Sequence, residues 1–212
     1  MKRLIVAAVV AAAGFAFADS TPVMVSLLTP VQAPSSDYDV AGLRLSLIYG
    51  QCERFKGIDI GIANRADRDY TGLGIGGANI AGGKIIGGQV GLVNWNGADT
   101  RDWAEMSKGA QIGLVNYAGT FCGLQDGVVN ISDEMFTGMQ SGLLNFSGDF
   151  NGFACGFYFL VGANFASGTV SGLQVGLVNY AAKMNGGIQI GLVNIVGEGG
   201  WMPVFPIVNG DF

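Results

Sequence analysis

Residues 172–179 read Gly-Leu-Gln-Val-Gly-Leu-Val-Asn, and the phrase returns as GIQIGLVN at 187–194 and GAQIGLVN at 109–116. Looser copies fill most of the chain, so the repeat has to be read before any single residue. Taken as Gly, three residues, Gly, two residues, Asn, the frame opens at Gly42, Gly57, Gly72, Gly87, Gly109, Gly123, Gly138, Gly152, Gly172 and Gly187. A degenerate last copy starts at Met202. Most spacings are 14 or 15 residues, and two are longer, after Gly87 and after Gly152.

Each unit reads as a β-strand. Leu173, Val175 and Leu177 alternate with Gly172, Gln174 and Gly176, the two-residue period of a pleated strand. A helix is disfavoured, because each Gly costs about 1 kcal/mol relative to Ala inside one. The links are short and rich in turn formers: AGT at 118–120, SGD at 147–149 and AKMN at 182–185. With the β-like run at 22–32, the chain holds twelve strand-sized units.

Two all-β architectures fit. An antiparallel up-and-down barrel of about twelve strands, as in bacterial outer membranes, has three supports: the even count, long links that share one rim, and the aromatic terminus Phe212. Such a terminus resembles the signal that outer-membrane assembly machinery recognises. The alternative is a β-solenoid, each unit one coil, with Asn64, Asn79, Asn94, Asn116, Asn130, Asn145, Asn179, Asn194 and Asn209 stacked as a ladder. The barrel is the leading expectation: a surface protein or small passive pore whose partners are membrane lipid and the assembly machinery. The solenoid, exported and presenting a binding face, is the second.

Either way the pattern sorts the faces. Leu, Ile and Val at positions two, four and six turn one way, to lipid in a barrel. Gly with Gln89, Gln111, Gln125, Gln140, Gln174 and Gln189 turns inward. Position four is polar or small in three successive units, at Asp126, Ser141 and Cys155. Those three either mark an inverted register, or form a patch covered by another subunit, and only the second alternative implies a homo-oligomer.

Composition narrows the address. Half of the residues are apolar, 13 % are charged and the net charge is -5, which excludes disorder and gives no reason to expect nucleic acid. Residues 1–18 carry Lys2 and Arg3, an apolar run and an Ala16-Phe17-Ala18 cleavage site, the anatomy of a secretory signal peptide. One domain, 19–212, then follows, placed in the outer membrane if a barrel and in the periplasm or medium otherwise. The three cysteines, Cys52, Cys122 and Cys155, allow one disulfide plus a free thiol, or three free thiols.

The opening DVAGLRLSLIYG, the GLQVGLVN units and the ending PVFPIVN resemble a family of small secreted Gram-negative proteins with GLQIGLVN-type surface repeats. The resemblance spans nearly all of 19–212 and implies export and a β-repeat fold; no activity comes with it. Gly74, Gly77, Asp126 and Ser141 depart from the family pattern, which has bulkier apolar residues or Gln there.

Catalytic and metal chemistry find little footing. With no His, His-based triads and His-ligated metals are excluded. Residues 72–77 match G-x-G-x-x-G, yet as one repeat among many rather than a strand-to-helix loop. Paired acids, Asp37 with Asp39, Asp67 with Asp69 and Asp133 with Glu134, are either solvated loop charges or ligands for Ca²⁺. The richest link, 95–108, carries Trp95, Asp99, Arg101, Asp102, Trp103 and Glu105. It reads equally as a recognition loop and as a tethered surface loop with interfacial Trp. No enzyme activity and no cofactor are expected.

Overall fold

Alternating strands can pair in parallel or antiparallel, and the choice separates the two architectures. The computed structural model describes residues 20–98, 106–156 and 161–211, and in it every described element is a strand. The repeat strands pair in parallel, like residue beside like residue. The antiparallel barrel is therefore not the fold; the β-solenoid is. The physical reason lies in the side chains. Only parallel stacking brings Asn beside Asn and Gln beside Gln, where each amide can donate to the next.

The chain divides into two compact units, Met1–Gly97 and Ala98–Phe212. In the first, β1 (Ser20–Leu28), β3 (Asp39–Cys52), β4 (Phe55–Ala66), β5 (Tyr70–Ala81) and β6 (Ile85–Asn96) lie side by side in that order. Gly57 faces Gly72 and Asn64 faces Asn79, so one turn is 15 residues. The short β2 (Val31–Ala33) folds back antiparallel on β1. In the second unit, β7 (Ser107–Gly156) runs for 50 residues through successive turns. It is followed by β8 (Ala163–Val175), β9 (Val178–Met184) and β10 (Ile188–Glu198), all parallel. The closing strand β11 (Val204–Gly210) pairs antiparallel with β10.

The frame-opening glycines are a requirement of this stacking. Nine of the ten have φ between +133° and +155°, a region closed to most L residues. Their backbones also press on the turn below: a Cβ on Gly72 would stand 1.9 Å from the carbonyl oxygen of Gly57.

Two apolar rows of side chains run through each interior. One comes two residues before the frame glycine: Val40, Phe55, Tyr70 and Ile85 in the first unit, and Phe121, Phe136 and Phe150 in the second. Their rings stack along the coil, with centroids 4.9 Å apart for Phe55–Tyr70 and 5.8 Å for Phe136–Phe150. The other row is small, with Ala66, Ala81, Ala118, Ala166 and Ala181. Tyr70 is longer than Phe, and a Cβ at Gly74 would lie 2.7 Å from its hydroxyl. That accounts for the loss of the usual side chain at Gly74.

The break in alternation around Leu177 and Val178 is a corner of the coil. Leu177 is exposed, Val178 half-buried and Asn179 fully buried, while the ladder between β4 and β5 skips the equivalent Ile62. All three cysteines are free thiols. Cys52 and Cys155 are buried and Cys122 is half-buried, so a thiol reagent is expected to label Cys122 alone in the folded protein. All three should react after unfolding, as mass spectrometry of the adducts will show.

Candidate functional site

The inward positions are polar, which is unusual for a core. At position eight, Asn64 Nδ2 donates to Asn79 Oδ1 at 3.1 Å, and Asn79 to Asn94 at 3.0 Å. In the second unit the ladder runs Asn116, Asn130, Asn145, Asn164, Asn179, Asn194 with steps of 2.7–2.8 Å. The second N–H of each amide donates to a backbone carbonyl one turn on, as Asn130 does to Ser141 at 2.8 Å. Both donors are thus used, which is the condition for burying an amide at no net penalty. At position three, Gln125 donates to Gln111 and Gln140 to Gln125, at 2.9 and 2.8 Å. Asn130→Asp puts a carboxylate against Asn145 Oδ1 and the Ser141 carbonyl, both acceptors. A loss of about 3 kcal/mol is expected from the urea midpoint.

In the first unit, position three carries Arg44 and Asp59 in place of Gln, both without solvent exposure. Arg44 Nε and Nη2 donate to the two carboxylate oxygens at 2.8 and 2.5 Å. Nη1 donates to the Arg65 carbonyl at 2.7 Å, and the guanidinium lies 5.0 Å from the Phe55 ring centroid. Burial pushes the neighbouring Cys52 thiol up to about 12. It stays protonated at neutral pH and has no nucleophilic character. The pair is enclosed on all sides and ties two turns together.

The surface is the inverse of the core. Positions two, four and six point outward as the alternation implies, and they are aliphatic. In β4 these are Ile58, Ile60 and Ile62, exposed by 49, 43 and 62 %. Leu45 and Leu47 continue the rows on β3, Leu73 and Ile75 on β5, and Val90 and Leu92 on β6. In the second unit Ile112, Leu114, Val128, Met139, Leu143, Ile190 and Leu192 hold the same positions. Isolated exposed aliphatics are ordinary; continuous rows of them mark an interaction surface.

The structure places the sequence candidates unevenly. Asp126, Ser141 and Cys155 do occupy position four of successive turns, since the ladder asparagines donate to their three carbonyls in order. The inverted-register reading fails, because Gln125 and Gln140 beside them remain fully buried. Nor is there one polar patch: Asp126 is exposed, Ser141 half-buried and Cys155 buried. Trp95 is exposed on β6 at position nine, beside Ile80 on the next face. Asp99, Arg101, Asp102, Trp103 and Glu105 lie outside the described residues, as do residues 1–19 and Phe212.

The acids brace turns instead of converging. Asp39 Oδ1 accepts the Arg54 amide at 3.1 Å, Asp69 the Lys84 amide at 3.0 Å, and Asp149 the Thr169 amide at 2.7 Å. Among the described residues no group of three His, Cys, Asp or Glu comes together. A shallow depression of about 270 Å³ lies on the aromatic row of the second unit, between Ile131, Phe146, Phe165 and Tyr180. The sequence reading missed this row, although position nine is Tyr117, Phe146, Phe165 and Tyr180 in four of its units.

Fold and surface together define a class: a parallel β-solenoid with amide ladders inside and aliphatic rows outside. No protein-family model matches the chain, and no curated protein or solved structure matches it either.

Proposed function

We propose that the protein is an exported β-solenoid that works by presenting its aliphatic face as a binding surface, without catalysis. The observation that carries this is the exposed row set on β3 to β6, free of any charged or hydrogen-bonding side chain. Leaving such a surface in water is costly unless something covers it, since each Å² of apolar surface removed from water is worth about 25 cal/mol. Export follows from the leader-like residues 1–18 and places the surface in the cell envelope or beyond it. A passive pore has no support, because the interior of each unit is filled by ring stacks and amide ladders.

The test is site-specific photo-crosslinking in cells. A crosslinker replacing Ile75 should capture a covering partner, and one replacing Arg68, on an exposed turn of the same unit, should not. A face that stays uncrosslinked at Ile75 removes the reading.

A further inference from the structure

We infer that the aliphatic face of the first unit is covered by the same face of a second copy of the chain. This rests on the binding-face reading and names its partner. Size is the first argument. The outward aliphatic side chains of β3 to β6 leave roughly 800 Å² of apolar surface facing water. A stable protein interface needs about that much from each partner.

Shape is the second. Along a strand, outward residues are about 6.6 Å apart, and along the coil they repeat about every 4.8 Å. Ile60 and Ile75 are register partners, as are Ile75 and Val90, so the side chains form parallel ridges. The inward residues between them, Gly57, Asp59 and Gly61 on β4, leave furrows floored by backbone. Ridges of one copy fit the furrows of another because the two spacings are identical, and two such sheets then pack about 10 Å apart.

Charge is the third, and it favours a twin over a lipid surface. Elements that lie on membranes pair their apolar face with a fringe of Lys and Arg that meets anionic headgroups. Here the exposed cations Arg54, Arg65 and Arg68 are each paired with an acid, Asp39, Asp67 and Glu53, and the whole chain carries -5. An uncharged face on an acidic protein suits an identical uncharged face.

The experiment uses the chain from residue 19 onward in analytical ultracentrifugation. Wild type should be a dimer at micromolar concentration. Ile60→Lys with Ile75→Lys should weaken association by at least ~100-fold while the β spectrum is kept. Ile60→Glu with Ile75→Glu should do the same, and mixing the two variants should restore a heterodimer through facing opposite charges. Should the charged variants not fold, Ile60→Thr with Ile75→Thr keeps β-branching and should weaken the dimer by about 10-fold. A wild type still monomeric at ~100 μM overturns the inference, as does undiminished dimerisation of the charged variants. Flotation of monomer with neutral phosphatidylcholine vesicles also overturns it, and assigns the face to lipid. In that last case the Ile75 crosslinker captures lipid in place of a second copy, so the binding-face reading survives.

Discussion

Gly72→Ala is expected to destabilise the first unit by at least ~3 kcal/mol. Two costs combine. Gly72 has φ +133°, where an L residue carries roughly 1–3 kcal/mol of strain. Its new Cβ would also stand 1.9 Å from the Gly57 carbonyl oxygen, which belongs to a hydrogen-bonded ladder and cannot retreat without separating two turns. Gly88→Ala is the internal control. Gly88 lies outside the left-handed region, and its Cβ would meet only the flexible Leu73 Cδ1, at 3.2 Å. A shift of at most ~0.5 kcal/mol is expected there, both values being read from denaturant unfolding. Equal losses at the two sites would remove the stacking account of the frame glycines.

The second large effect comes from the enclosed ion pair. Asp59→Leu leaves the Arg44 guanidinium buried with its Nε and Nη2 donors unmatched, and a loss of roughly 3–5 kcal/mol is expected. Arg44→Met alone should cost a similar amount by stranding the carboxylate. The double change Arg44→Met with Asp59→Leu should recover most of the loss, because apolar side chains of similar volume need no partner there. A double-mutant cycle measures the coupling directly. Additive losses in the double variant would show that the two charges act independently and that the pair is not the tie described.

Much of this protein was legible in its repeat. The alternation correctly sent Ile58, Ile60 and Ile62 outward and Gln111, Gln125 and Gln140 inward, since parity depends only on the pleat. Parity says nothing about the direction of the neighbouring strand, and that is where the barrel expectation went astray. The signal that could have settled it is the recurrent Asn. Neighbouring antiparallel strands would place Asn64 and Asn79 at opposite rims, with no means of bonding to each other. Parallel turns place them 3.1 Å apart. The long links pointed the wrong way because they interrupt the coil at unrelated places. One comes after the ladder position of Asn96, the tenth of its unit, and the other after that of Cys155, the fourth. The Arg44–Asp59 pair could not be read from spacing alone, for a charged residue at position three is equally an outward one if the register slips by one.

β11 sets a limit on growth. A ladder in which every turn offers its successor the same amides and the same backbone has no intrinsic reason to stop, and an unpaired last turn would invite strands from other molecules into fibres. Running antiparallel, β11 shows an incomer the sequence in reverse, so like no longer meets like. Pro206 removes one donor from that strand, and Ile207, at φ +71°, twists it out of the pleat. The edge that β11 offers is thus reversed and interrupted by Pro206, unlike every parallel turn before it.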